Sequence, residues 1–189
     1  MIRVAIADDH HAVRLGLQTA IDAEPGLALA GSASTAAELT PMLYRNQPDV
    51  LLLDYHLPAS DGLALCRTIK FDVPAPRVIL YSAFAESSMT VPAIVAGADG
   101  VLHKGVQPRE LFEAIREVAG GGDALPPVSA DLLAAAGLAL DDEDLPILGM
   151  LVERTSTSEI AETLRLDTVD VKQRITRMLG RLKVSVPLR

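Results

Sequence analysis

The sequence predicts an α/β fold, a doubly wound five-stranded parallel sheet, followed by a small all-α domain. Over the first two thirds of the chain, five short apolar runs alternate with segments of helical periodicity, which is typical of parallel strands joined by crossover helices. From residue 141 onwards no strand pattern is visible, and apolar residues recur at helical spacing instead. These two patterns indicate two domains of different architecture.

The five predicted strands are Ile2–Ala7, Leu27–Gly31, Val50–Asp54, Arg77–Ser82 and Gly100–His103. The third run is continuously apolar, as expected for a central strand that is covered on both faces. Apolar residues on one face of each flanking helix supply the covering layer; in the first helix these are Val13, Leu17, Ala20 and Ile21, and in the last Leu111, Ile115 and Val118.

A segment rich in glycine and proline, Gly120 to Ser129, interrupts both kinds of secondary structure. It predicts a domain over residues 1–119, a linker over 120–139 and a second domain over 140–189. Residues 1–140 contain 9 basic and 16 acidic side chains, whereas residues 141–189 contain 8 and 9. The acidic excess therefore lies in the first domain, and any binding of nucleic acid requires a local basic patch.

The N-terminal residues predict neither a signal peptide nor a membrane span, because the apolar run from Ile2 to Ala7 contains Arg3 and leads directly into acids. The single cysteine, Cys66, cannot form an internal disulfide, which fits a reducing compartment. We therefore expect a cytoplasmic protein that has no membrane partner.

Polar residues follow four of the predicted strands at the point where each strand ends. They are Asp8 and Asp9, Asp54, Ser82 and Lys104. Carboxyl ends of parallel strands meet at one edge of a sheet, where ligands bind, so the three carboxylates should converge. A hard divalent cation, most simply Mg²⁺, would hold them ionised. Solvated loop acids are the alternative, but that would leave the lysine and the serine at the same edge unexplained.

With a bound cation, an ionised Asp54 could attack a phosphoryl group while Lys104 and Ser82 share the charge on the phosphoryl oxygens. The product would be an acyl phosphate. An enzymatic alternative is a Mg²⁺-dependent phosphohydrolase that uses an aspartyl phosphate. That class usually places its nucleophile after the first strand with an acid two residues later, whereas here Asp8 and Asp9 are adjacent.

The motifs ADDHH, LLLDYHLPASDGL, VILYSAF and AGADGVLHKG resemble the receiver domain of two-component response regulators, which has a flavodoxin-like fold. The resemblance implies that Asp54 is the phosphoacceptor and that Ser82 and Lys104 bind the phosphoryl oxygens. It implies that Asp9, Asp54 and the backbone carbonyl of His56 bind Mg²⁺ directly, and that Asp8 acts through water. The expected phosphoryl donor is a histidine kinase or a small acyl phosphate. The protein is then not an enzyme, apart from slow loss of its own phosphoryl group.

Two residues depart from the receiver pattern. Val101 stands where receivers usually have Tyr or Phe, and Pro92 belongs in the first turn of a helix. We expect a short helix that starts near Thr90, after a loop over residues 83–89. These departures leave open an atypical regulator that acts through protein or ligand binding with weak dependence on phosphate. The adjacent His10 and His11 lack a metal-ligand spacing and are expected at the rim of the pocket.

Near the C-terminus, the apolar residues Val171, Ile175, Met178, Leu179 and Leu182 form one helical stripe. A capped helix with Glu159 in its first turn precedes it, which predicts a helix-turn-helix. The pattern SEIAETLRLDTVDVKQRITRMLGRLKV resembles the LuxR-type output domain of NarL/FixJ-type response regulators. The resemblance implies binding to double-stranded DNA, with bases or phosphates facing Lys172, Arg174 and Arg177, and with Arg181 and Lys183 further along the DNA backbone. Because one short helix reads few bases alone, we expect a homodimer on DNA.

This second resemblance also has exceptions. Arg154 replaces a usual glycine, Pro146 is expected to interrupt the first helix of the domain, and few residues follow Val184 for the fourth helix that normally closes it. A solvated basic helix face in an ordinary small bundle is the simpler alternative to DNA binding.

Overall fold

A computed structural model describes residues 1–71, 75–83, 85 and 87–184, with the side chains of Lys183 and Val184 left out. The described residues group into two compact units. The first takes residues 1–71, 75–83, 85 and 97–126, and the second takes 87–96 and 127–184. The boundary between the two units therefore lies after Pro126, and an earlier segment, described over residues 87–96, also belongs to the second unit. The expected domain limits at residues 119 and 139 stay a prediction.

The first unit contains the parallel sheet. Its described strands are β1 (Ile2–Ala7), β2 (Leu27–Ala33), β3 (Val50–Asp54), β4 (His56–Leu57), β5 (Ser60–Asp61), β6 (Arg77–Ser82) and β7 (Gly100–His103). The five long strands are all parallel, in the order β2-β1-β3-β6-β7, and β4 pairs with β5 in a small antiparallel ribbon. This is the doubly wound order of flavodoxin-like proteins, and it confirms the predicted fold class.

Before residue 120 the described helices are α1 (His11–Ala23), α2 (Ala36–Asn46), α3 (Gly62–Phe71), α4 (Thr90–Ala96) and α5 (Pro108–Ala119). All but α4 belong to the first unit. The predicted inner faces of α1 and α5 are confirmed, because Leu17, Ile21 and Ile115 are buried against the side chains of alternate strand residues. Within the described part of the chain, no helix combines the length and the apolar character needed to cross a bilayer.

The second unit is helical. Besides α4, its described helices are α6 (Ala130–Leu138), α7 (Leu145–Val152), α8 (Thr157–Leu164) and α9 (Thr168–Val184). The predicted stripe of α9 is buried, and α9 packs against α8 and α4. Helix α4 begins at Thr90, as predicted, and all its residues are buried. Residues 185–189, where a fourth helix of this domain was considered, lie outside the described residues.

The expectation that Pro146 interrupts the first helix of this domain is wrong. Pro146 is the second residue of α7, which a 3-10 turn over Asp142–Asp144 precedes. In the first turn of a helix the amide hydrogen that proline lacks has no intrahelical partner, so Pro146 starts the helix instead of breaking it. The predicted cap of α8 is confirmed, because Ser156 and Glu159 form a reciprocal capping box.

Arg154 lies in the left-handed region, with φ of 65°, in the turn between α7 and α8. A side chain with a Cβ is strained in this conformation, and glycine is not. Arginine in place of the usual glycine at position 154 therefore stores backbone strain in the second unit.

We expect the substitution Arg154→Gly to raise the free energy of unfolding by about 0.5–1 kcal/mol, because relief of the strain exceeds the extra chain entropy of glycine. Urea unfolding followed by circular dichroism measures the change. The control is Glu153→Gly at φ −80°, where glycine relieves no strain and should destabilise. Equal destabilisation by both substitutions would contradict the argument.

Candidate functional site

Polar side chains from four strands meet at the carboxyl edge of the sheet. Asp8 follows β1, Asp54 ends β3 and Ser82 ends β6, and all three are buried among apolar residues. Lys104 follows β7, and only 15% of its side chain is exposed. The backbone N–H of Lys104 donates to the carbonyl of Ser82 at 2.8 Å, which holds the ends of β6 and β7 together. The structure therefore brings together the residues that the sequence places at strand ends.

The ammonium group of Lys104 lies between two buried carboxylates. Its Nζ is 2.8 Å from Asp54 Oδ2 and 2.6 Å from Asp8 Oδ2. Burial by itself would lower the pKa of Lys104, but hydrogen bonds and charge interactions with Asp54 and Asp8 outweigh it and raise the pKa above its usual value. The lysine is therefore a permanent cation at the centre of the site.

Asp8 is held by its backbone and by its neighbours in the chain. Its N–H donates to the carbonyl of Ala33, its carbonyl accepts from Arg14 Nη1 at 2.6 Å, and its Oδ1 accepts from the N–H of His10 at 2.8 Å. The other carboxylate oxygen, Oδ2, is buried and lies 2.6 Å from the ammonium of Lys104. A fixed carboxylate thus retains an oxygen that can accept a further ligand.

The carboxylates of Asp8, Asp9 and Asp54 and a ring nitrogen of His10 all lie within 4.8 Å of one another. Three carboxylates and one ammonium leave a formal charge of about −2 when the histidine is neutral, which a divalent cation would balance. Oxygen donors of this kind suit Mg²⁺. From the sequence, His10 and His11 were expected at the rim of the pocket. In the structure His10 also belongs to the acidic cluster, with its Nδ1 2.6 Å from Asp9 Oδ1, whereas His11 begins α1.

Asp54 is positioned by the turn that follows it. The N–H of His56 donates to Asp54 Oδ1 at 3.3 Å, and the N–H of Gly62 donates to the carbonyl of Tyr55 at 2.9 Å. A Cβ at Gly62 would lie 2.6 Å from the carbonyl oxygen of Asp54, closer than backbone atoms allow. Only glycine lets α3 start this close to the end of β3. Sequence reasoning missed Gly62, although the Asp-Gly pair inside LLLDYHLPASDGL was a signal for a tight turn.

Tyr55 follows Asp54 and Tyr81 precedes Ser82 in the chain, and burial raises the pKa of both hydroxyls. A protonated Tyr81 donates to the carbonyl of Lys104 at 3.1 Å. Val101, at the position where an aromatic was expected from the family pattern, is buried in β7, and its N–H donates to the carbonyl of Ala124 at 3.0 Å. Residues just beyond α5 thus cover the edge of β7.

A second group of predicted residues lies on α9. The side chains of Gln173, Thr176 and Arg177 are exposed and point away from the buried stripe, and Lys172 is half-buried at its margin. Sequence reasoning missed Gln173, whose spacing of four residues from Arg177 places both on one face. Arg174 and Arg181 lie on another flank of the helix and make ion pairs with acids of residues 141–144. The side chain of Lys183 lies outside the described residues.

A family model described as the response regulator receiver domain matches residues 4–116. The transcriptional activator DevR/DosR of Mycobacterium tuberculosis is 32% identical over 192 residues, which cover 96% of this chain and 88% of the relative. The transcriptional regulatory protein LiaR of Bacillus subtilis is 31% identical over 195 residues, covering 98% and 92% of the two chains.

Solved structures are also similar to this chain. A LuxR-family two-component response regulator from Aurantimonas sp. SI85-9A1 is 30% identical with a TM-score of 0.62, over 72% of this chain and 97% of that one. RcsB from Salmonella enterica serovar Typhimurium, bound to promoter rprA with the phosphomimetic BeF3-, gives a TM-score of 0.62 over 100% and 94% of the two chains. At 21% identity this second likeness shows the fold alone.

Replacing Lys104 by methionine should lower the free energy of unfolding without divalent cations by roughly 3 kcal/mol, because two buried carboxylates lose their counter-charge. Addition of Mg²⁺ should restore most of the loss, since the cation would replace the ammonium. Urea unfolding with EDTA and with Mg²⁺ measures both effects.

The matched control is Lys70→Met. Lys70 also pairs with a buried carboxylate, that of Asp99, at 2.9 Å, but it lies outside the acidic cluster. Mg²⁺ should not restore its stability. Equal recovery of the two variants would show that the cation acts on the protein in general and not at Lys104.

Proposed function

The chain belongs to the response regulator family and is of the NarL/FixJ type, and on that premise we propose that Asp54 is its phosphoacceptor and α9 its DNA-binding helix. It is a transcription regulator with a receiver domain. The observation that carries the first part of the proposal is the ammonium of Lys104 within 2.8 Å of two buried carboxylates at the ends of parallel strands.

Phosphoryl transfer needs an ionised nucleophile and positive charge near the oxygens that become more negative. An oxygen of Asp54 attacks phosphorus, and the bond from phosphorus to the donor breaks, so that the donor leaves with the bonding electron pair. The donor is the phosphohistidine of a histidine kinase or a small acyl phosphate. The Lys104 ammonium then pairs with a phosphoryl oxygen instead of the Asp54 carboxylate, and the Ser82 hydroxyl donates a hydrogen bond to another phosphoryl oxygen.

The same residues fit a divalent cation. Asp9, Asp54 and the carbonyl of His56 would hold Mg²⁺ directly, and Asp8 would hold it through water. When bound, Mg²⁺ supplies positive charge to the phosphoryl oxygens. The carboxylates keep their fixed positions through the hydrogen bonds of Asp8 and Asp54 with the main chain at residues 10 and 56. Return to the starting state is slow hydrolysis, in which water attacks phosphorus and restores the Asp54 carboxylate.

Binding to promoter DNA is the proposed output. Helix α9 presents Lys172 and Arg177 for phosphates or bases, and Gln173 offers an amide that can pair with adenine in the major groove. One recognition helix reads few bases, so we propose that two copies bind as a homodimer to half-sites about one helical turn apart. Support for this part comes from the capped α8, the buried stripe of α9 and the exposed residues opposite that stripe.

The substitution Asp54→Asn should abolish phosphoryl uptake, because the neutral amide oxygen of asparagine is too weak a nucleophile to attack phosphorus. Incubation with acetyl phosphate and Mg²⁺, followed by phosphate-affinity electrophoresis, measures the phosphorylated fraction. Asp22→Asn removes an exposed carboxylate of α1 and should leave labelling at the wild-type level. Wild-type labelling of the Asp54→Asn variant would refute the assignment of the phosphoacceptor.

The double substitution Lys172→Gln with Arg177→Gln should weaken binding to a fluorescein-labelled 30-base-pair duplex. It should also reduce the slope of log affinity against log salt by about 1 for each lost phosphate contact. Fluorescence anisotropy over a salt series gives both quantities. Arg45→Gln, which removes an exposed charge from α2, serves as the control. An unchanged slope in the double variant would mean that α9 does not contact the DNA backbone.

A further inference from the structure

Two arginines of α9 have acidic partners in the segment that precedes α7. Arg181 Nη1 lies 2.5 Å from Asp141 Oδ2, and Arg174 Nη1 lies 3.3 Å from Glu143 Oε2 and 3.8 Å from Asp144 Oδ1. The two arginines are seven residues apart, so they occupy one face of α9 about 10.5 Å apart along its axis. One run of four consecutive acids, residues 141–144, therefore neutralises two of the cations that α9 could offer to DNA.

The outer ends of these pairs are accessible to solvent. The side chains of Asp141 and Glu143 are 62% and 80% exposed, and that of Arg181 is 41% exposed, whereas that of Arg174 is only 22% exposed. An exposed ion pair such as that of Arg181 with Asp141 contributes only about 0–1 kcal/mol, so a phosphate can displace Asp141 from Arg181 at small cost. Asp144 differs, because it is buried at the start of α7 and supports the fold of the unit.

We infer that Asp141 competes with DNA phosphates for Arg181, and that Asp141 thereby lowers the DNA affinity of this protein. The inference rests on the proposed DNA binding of α9. Before DNA can contact Arg181, the Asp141 carboxylate must leave it, and the displaced carboxylate then lies near the DNA backbone and repels it. Both effects lower the affinity and reduce the number of cations that DNA neutralises.

A purely structural role for the same ion pairs makes the opposite prediction. If Asp141 served only to hold α9 in place, its removal would loosen the helix and would lower stability and DNA affinity together. Competition predicts that removal of Asp141 releases Arg181 and raises DNA affinity. The sign of the change in affinity therefore separates the two roles.

The test compares Asp141→Asn with Asp142→Asn in the full chain. Each variant removes one negative charge from the same acidic run, but of these two residues Asp141 forms an ion pair with α9, whereas the described part of the chain shows no such pair for Asp142. Anisotropy with the labelled 30-base-pair duplex, over salt from about 50 to 200 mM, gives affinity and salt slope. Thermal unfolding of each variant checks that the fold is retained.

Asp141→Asn should bind DNA about two- to fivefold more tightly than wild type at low salt, the range that loss of an exposed ion pair allows. Its salt slope should be steeper by about 1, which corresponds to one additional phosphate contact. Asp142→Asn should show a smaller gain and an unchanged slope. Adding Arg181→Gln to Asp141→Asn should abolish the gain, because the released cation is then missing.

Equal behaviour of Asp141→Asn and Asp142→Asn, or weaker binding by Asp141→Asn, would overturn the inference while leaving DNA binding by α9 intact. Failure of the proposed function has a different signature. In that case wild type and the double variant at Lys172 and Arg177 bind the duplex equally, or none of the variants binds it at the lowest salt. That result would overturn both proposals.

Discussion

The ammonium of Lys104, held between the carboxylates of Asp8 and Asp54, is the interaction on which the receiver site depends. Two buried anions at the ends of the neighbouring strands β1 and β3 repel each other, and a cation from the end of β7, two strands beyond β3, makes their proximity stable. The same geometry holds a nucleophilic carboxylate next to a positive charge. A structural requirement of the fold and a chemical requirement of phosphoryl transfer are thus met by the same three side chains.

Charge balance also organises the second unit. Helix α9 uses one face to bury its apolar stripe, and Arg174 and Arg181, beside that face, meet acids of residues 141–144. The outer face, with Gln173 and Arg177, stays exposed. A basic helix in a domain of almost balanced charge therefore divides its cations between internal pairs and an outer surface. In the proposed function, the outer surface contacts DNA, and the internal ion pairs limit the affinity for DNA.

Several features were predictable because they depend on local sequence. The strand ends at Asp8, Asp54 and Ser82, the short α4 beginning at Thr90 and the cap at Ser156 follow from periodicity, from the chemistry of proline and from capping motifs. Pro146 was misjudged because its effect depends on where the helix starts, which neighbouring packing decides. The membership of α4 in the second unit was not predicted, since a helix of seven buried residues, six of them apolar, can pack against either unit.

The fold class and the residues at the strand ends were readable from the amino-acid sequence, because the alternation of strands and helices places those residues at one edge whatever the details of packing. Three further features became visible in the folded chain: His10 belongs to the acidic cluster, Gly62 must lack a side chain, and Asp141 pairs with Arg181. These facts depend on distances between residues remote in the chain or on the exact path of a turn, and side-chain periodicity contains neither. Local sequence patterns predict which side chains are available at each element, and tertiary packing determines which of these side chains come into contact.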